Sequence, residues 1–111
     1  MSTVTSKRAG GVLVVELEGR IDAAGAELLE ERLLDLIDHG DHKLVVGLDH
    51  VHHIDSSGLG VLLAVLKRAR PAGGDVRLFG VNTPIQPVFR ITGMRRVFRI
   101  FDSEESAVQS F

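Results

Sequence analysis

Three short apolar runs alternate with helix-like segments, and this rhythm most constrains the fold. Val12-Leu13-Val14-Val15-Glu16-Leu17-Glu18 begins apolar and ends alternating, as a strand does on leaving a core for a wetter edge. Lys43-Leu44-Val45-Val46-Gly47-Leu48-Asp49 reads as a buried strand that Val51 to Ile54 continues, and Asp75 to Gly80 reads as another. Between the first two runs, apolar Ala26, Leu29, Leu33, Leu36 and Ile37 are interleaved with Glu27, Glu30, Glu31, Arg32, Asp35 and Asp38. That spacing predicts an amphipathic helix ending near Gly40. Strands alternating with helices define an α/β domain with at least part of its sheet parallel.

The flanking segments extend the pattern. Val4 to Arg8 is expected to pair with the first run through the Gly10-Gly11 turn. Leu59 to Leu66 is apolar nearly all round and turns basic at Lys67-Arg68-Ala69-Arg70, so this helix is expected to be buried or partly given to a partner. Thr83-Pro84-Ile85-Gln86 matches a helix start with Thr as cap, and the helix is expected to run to about Thr92-Gly93. Val97 to Phe101 is expected to be a last strand, followed by a C-terminal helix capped by Asp102-Ser103-Glu104-Glu105. The reading is one domain over residues 1–111, large enough to bury about two thirds of the surface its unfolded chain exposes.

Composition removes several classes of function. Cysteine is absent, which excludes disulfides, thiol catalysis and thiolate zinc sites, and suits a reducing cytoplasm. The apolar run from Gly58 to Leu66 is far shorter than the roughly 20 residues of a membrane span, so no direct membrane insertion is expected. MSTVTSKRAGG has no apolar stretch behind its charges and does not read as a signal peptide. A net charge of −2, no Tyr or Trp and five Phe speak against nucleic-acid binding. The charge is uneven. Residues 1–55 hold 11 acidic and 5 basic side chains, residues 56–111 hold 4 and 8, a distribution that suits ordinary solvated faces or the steering of a protein partner.

The chemistry concentrates in Ile54-Asp55-Ser56-Ser57-Gly58-Leu59-Gly60, where a strand ends and a helix begins. Three readings compete. Ser56 or Ser57 caps the helix, with Gly58 and Gly60 allowing close packing. Alternatively, a Ser is a nucleophile with His50, His52 or His53 as base; the G-x-S-x-G elbow is absent, and this reading fares badly. In the third reading a Ser carries a regulatory phosphate, which adds about −1.5 to −2 charges beside Asp55 and is partly compensated by helix N–H groups. His50, His52 and His53 with Asp49 and Asp55 lack the spacing of a metal site, and Gly58-Leu59-Gly60 has Leu63 where a dinucleotide loop needs its third glycine. No cofactor and no metal are expected. Arg90, Arg95, Arg96 and Arg99 form a basic group explained by solvation, with an acidic partner patch or a nucleotide phosphate as the functional alternative.

The string Ile54 to Gly60 resembles the signature of STAS domains of the bacterial anti-sigma-factor antagonist type. Gly19-Arg20-Ile21-Asp22 is similar to that family's Gly-x-aliphatic-Asp turn, and Thr92-Gly93-Met94 to its late turn. The resemblance covers roughly residues 10–108 and implies a mixed sheet of four to five strands, with about four helices packed mainly on one face. It implies that Ser56 is the phosphoacceptor, that Ser57 supports it, and that Asp22 contributes to an acidic rim met by a kinase. Arg20 departs from the acidic or polar residue common there.

The implied function is a partner switch without catalysis of its own. The unphosphorylated protein binds a serine kinase that doubles as an anti-sigma factor and so releases the sigma factor. Phosphorylation of Ser56 ejects the protein and a phosphatase resets it. The expected contact surface is Asp22, Asp55, Ser56, Ser57 and Gly58 with Val61, Ala64, Val65 and Arg68 of the following helix, in a monomer or weak dimer. The alternative is a STAS subunit of a membrane lipid-transport or transporter complex that acts as a non-phosphorylated interaction module.

Overall fold

The computed structural model describes residues 2–111. Strands β1 (Ser2–Ala9) and β2 (Val12–Ile21) form an antiparallel hairpin joined by Gly10-Gly11, with Ala9 opposite Val12. Gly10 adopts φ 64°, the left-handed conformation that a two-residue hairpin loop requires at its first position. Helix α1 (Ala23–Asp38) leads to β3 (Lys43–Ile54), and α2 (Ser56–Ala69) leads through a 3₁₀ turn to β4 (Asp75–Phe79). Helix α3 (Gln86–Thr92), β5 (Ile100–Phe101) and α4 (Glu104–Gln109) complete the chain.

The five strands lie in sequence order. β1 is antiparallel to β2, and β2 to β5 are parallel. The expected mixed sheet is present with all five strands and four helices.

Strand alternation sends two sets of side chains to opposite faces. Leu13, Val15, Leu17, Leu44, Val46, Leu48, Val76 and Leu78 pack with Leu29, Leu33 and Ile37 of α1, most of α2, and Ile85 and Phe89 at α3. Val12, Val14, Val45 and Phe79 form a smaller cluster on the other face with Ala107 of α4. Three helices thus cover one face, and the last covers part of the other.

Two expectations at the C-terminal end need correction. Thr83 does not cap α3: the chain turns once more, and the helix starts at Gln86 with no side-chain cap. Asn82 holds that turn, because its carbonyl accepts from the backbone of both Ile85 and Gln86 and its amide donates to the Asp49 carbonyl at 2.7 Å. Val97 to Arg99 is not strand: the Gly93 corner continues into a 3₁₀ turn whose Met94 carbonyl accepts from Val97 and Phe98, leaving two residues for β5. The C-terminal helix is capped where expected, by Ser103, whose hydroxyl accepts from the Ser106 amide.

Candidate functional site

The site arises where two parallel strands end together. Ile21 of β2 and Ile54 of β3 are register partners, so the residues after them, Asp22 and Asp55, stand at the start of neighbouring helices. Both are extended and both carboxylates act as N-caps: Asp22 accepts from Ala24 N at 3.2 Å and Asp55 from Gly58 N at 3.1 Å. Asp55 N donates to Ile21 O at 3.3 Å, which ties the two strand ends. Two helix N-termini with partial positive charge therefore open beside each other at the carboxyl edge of the sheet.

Bulges in β3 produce this alignment. Between Glu16 and Arg20 the register with β2 slips twice, each time by one extra residue in β3. The inward residues of β3 run Leu44, Val46, Leu48, then Val51 and Ile54, so the strict two-residue period breaks. His50 and His52 are exposed and share a shallow cleft with Thr3, Glu18 and Gly19, while His53 is half-buried. Among the described residues no group of three His, Asp or Glu is arranged to hold a metal ion.

Capping falls to Asp55, so neither Ser56 nor Ser57 caps α2. Ser56 is the first residue of α2, exposed, and Ser57 is half-buried. Neither hydroxyl has a hydrogen-bond partner among the described residues, and no imidazole is within bonding reach of either. The backbone N–H groups of Ser56 and Ser57 also lack an acceptor, as the first-turn donors of a helix do.

Gly58 is buried because the helix meets β2 at this point. A Cβ there would stand 2.5 Å from Ile21 O and 2.8 Å from side-chain carbons of Ile21 and Ile54. Gly60 differs: it is exposed with open space around it, so the close packing expected of both glycines belongs to Gly58 alone.

The expected outer face of α2 is also corrected. Val61 and Val65 are buried at 2% and 0% exposure, packed between α1 and the sheet. The solvent line of α2 runs through Ser56, Gly60, Leu63, Ala64 and Lys67, with Leu63 and Ala64 half-buried. Arg68 is exposed but binds Asp38 of α1 at 2.7 and 3.0 Å. One-helix spacing could not show this, because α2 is covered by both the sheet and α1.

Sequence reasoning did not anticipate the partner of Asp22. Arg20 Nε lies 3.4 Å from Asp22 Oδ2. Burial alone would push the Asp22 carboxyl up, but the hydrogen bonds from Arg20 and Ala24 N and the charge of Arg20 hold it below its ordinary value. An i, i+2 pair across a strand end was legible only as the Gly19 to Asp22 turn; in extended backbone residues two apart share a face, which brings the Arg20 and Asp22 side chains together.

The mixed five-stranded sheet with four helices is the fold of solved anti-sigma factor antagonist structures, among them one from Thermotoga maritima at a TM-score of 0.91 and 25% identity, covering 96% of this chain and 92% of that one. The chain matches the STAS domain family over residues 3–107, and it belongs to that family. It is 32% identical over 108 residues to BtrV of Bordetella bronchiseptica, proposed to be an anti-sigma factor antagonist, covering 97% of this chain and 93% of BtrV. It is 33% identical over 95 residues to the anti-sigma-B factor antagonist of Bacillus subtilis, covering 86% of each. The fold is that of the Bacillus anti-sigma factor antagonist SpoIIAA. Its unphosphorylated form aligns with a TM-score of 0.84 at 20% identity, covering 97% of this chain and 95% of SpoIIAA, and its phosphorylated form with 0.75.

Proposed function

We propose that this protein is an anti-sigma-factor antagonist switched by phosphorylation at Ser56. The observation that carries the reading is that Ser56 is exposed at the first position of α2 while Asp55 performs the capping, so its hydroxyl has no structural duty. Relatives named as antagonists of anti-sigma factors, and SpoIIAA known in both phosphorylation states, support it.

In this reading the unmodified edge formed by Asp22, Asp55, Ser56, Ser57 and Gly58, with Gly60, Ala64 and Lys67 beyond it, docks on a serine kinase that serves as anti-sigma factor. Transfer of the ATP γ-phosphoryl group to Ser56 Oγ releases ADP, and the hydroxyl proton leaves to a base of the kinase. The new dianion is attracted by the free N–H groups of Ser56 and Ser57 and by the helix dipole, and repelled by the Asp22 and Asp55 carboxylates. It stays on the surface, adds bulk and charge where the kinase docked, and ends the complex; a phosphatase reverses it. The protein is substrate and ligand, and contributes no catalytic group.

The test is incubation with the cognate kinase and ATP. One phosphate is expected on wild type and none on Ser56→Ala, while Ser57→Ala remains a substrate. Unchanged labelling of Ser56→Ala would remove Ser56 as the acceptor, and equal kinase affinity of Ser56→Asp and wild type would remove the switch.

A further inference from the structure

Two exposed helix faces outside the Ser56 site are complementary to each other. On α1 the exposed residues opposite buried Leu29, Leu33 and Ile37 include Glu27, Leu28, Glu31, Arg32, Asp35 and Asp38, four acidic side chains against one basic. Asp38 is engaged by Arg68, whereas Glu27, Glu31 and Asp35 have no basic group within 4.0 Å among the described residues. Leu28 stands on this face at 62% exposure.

The opposite flank carries the reverse pattern. Arg90 on α3 and Arg95 and Arg96 on the 3₁₀ turn are exposed with no carboxylate within 4.0 Å among the described residues; Arg95 borders a cleft with Asp49 and Asp102, and Arg99 before β5 lies 5.4 Å over the Phe101 ring. Beside Arg90 lies Ile91, 81% exposed. Leu28 and Ile91 are the large apolar side chains left exposed among the described residues; Leu28 lies on a helix face of net negative charge and Ile91 follows exposed Arg90.

We propose that these faces bind each other between copies of the chain: the acidic α1 face of one copy takes the basic α3 face of the next, with Leu28 and Ile91 as apolar centres. Charge complementarity selects a second copy as the occupant, since the chain itself holds both halves. α1 and α2 pack on each other over β2 to β4, while α3 packs against the 3₁₀ turn that leads to β5, so the two faces do not coincide and the contact is head-to-tail. Rim ion pairs contribute little each and the apolar centres are single residues, so the association is weak and sensitive to salt.

Sedimentation velocity of the full chain from micromolar to millimolar concentration tests this. The sedimentation coefficient is expected to rise with concentration at about 0.05 M salt and to stay flat at about 0.5 M. Arg90→Glu/Arg96→Glu and Glu27→Lys/Glu31→Lys are each expected to abolish the rise by self-repulsion of like faces. Their equimolar mixture, which restores one intact acidic and one intact basic face, is expected to form a heterodimer. All four positions are exposed, so circular dichroism and thermal melting of the variants are expected to match wild type. A wild type that stays monomeric throughout, or association that survives both double variants, would overturn the proposal.

Discussion

The α carbon of Gly58 faces the carbonyl oxygen of Ile21 so closely that a Cβ would stand 2.5 Å from it. This contact sets how deeply the N-terminus of α2 sits against β2, and hence where Ser56 emerges beside the Asp22 turn. Gly58→Ala gains up to about 1 kcal/mol of helix propensity, yet it places a methyl group against backbone that cannot swing aside. A net loss of about 1–3 kcal/mol in urea denaturation is expected. Gly60→Ala, in open space, is expected to be neutral or slightly stabilising; equal effects at both positions would refute the contact.

Asp55 caps α2 through its bond to Gly58 N. Asp55→Ala is expected to cost about 1 kcal/mol and Asp55→Ser less, measured by thermal or chemical unfolding. Hydrogen exchange at the Gly58 amide is expected to accelerate in the Ala variant. Unaltered exchange there would show that another group satisfies the donor.

The Asp22 carboxyl titrates below its ordinary value, since the bonds from Arg20 and Ala24 N and the Arg20 charge outweigh the upward push of burial. A carboxyl with a lowered value in the folded state binds its proton more weakly there than in the unfolded chain. Its contribution to stability is therefore complete above its ordinary value of 3.8 and fades as the pH falls through the lowered folded value. Arg20→Gln is expected to move the Asp22 midpoint upward, as followed by carboxyl-carbon NMR, and high salt is expected to reduce the difference. A midpoint indifferent to Arg20 would assign the whole effect to the helix start.

Asp75, 8% exposed, joins three parts of the chain at the other end of the sheet. It accepts from Arg70 Nε at 3.1 Å, from Arg77 Nε at 3.0 Å and from Val76 N at 2.9 Å. Arg77 in turn donates to Ser110 and lies 4.0 Å over the Phe111 ring, which anchors the C-terminal residues. Asp75→Ala leaves the largely buried Arg77 without its counter-charge, and a loss of about 3 kcal/mol is expected in denaturant titration. Asp75→Asn is expected to lose less. Because this network is far along β4 from its carboxyl end, phosphorylation at Ser56 in the kinase assay is expected to survive Asp75→Asn.

The parts legible in the sequence are those governed by neighbours along the chain. The Gly10-Gly11 hairpin, the α1 stripe ending at Gly40, and the Asp22 and Asp55–Gly58 turns each depend on a few consecutive residues whose backbone preferences or caps are local. The motif around Ser56 was visible for the same reason. Its division of labour was not: Ser and Asp are both good caps, and only the placement of the Asp55 carboxylate on Gly58 N left the Ser56 hydroxyl free.

What the tertiary structure decided rests on contacts between distant segments. Val61 and Val65 share a helix face with Ala64 and Arg68 by spacing, but α1 and the sheet together bury a broader arc of α2 than one amphipathic stripe, and the face that remains is Ser56, Gly60, Ala64 and Lys67. Thr83 matches a local capping pattern, yet the bond from Asn82 to the Asp49 carbonyl, 33 residues away, holds an extra turn and delays α3. The two bulges in β3 depend on pairing with β2 and bring Ile54 level with Ile21. Side-chain chemistry along the chain specifies the elements and the reactive residues; which surfaces stay in water depends on register and packing, where burial of apolar area across the whole fold outweighs any local preference.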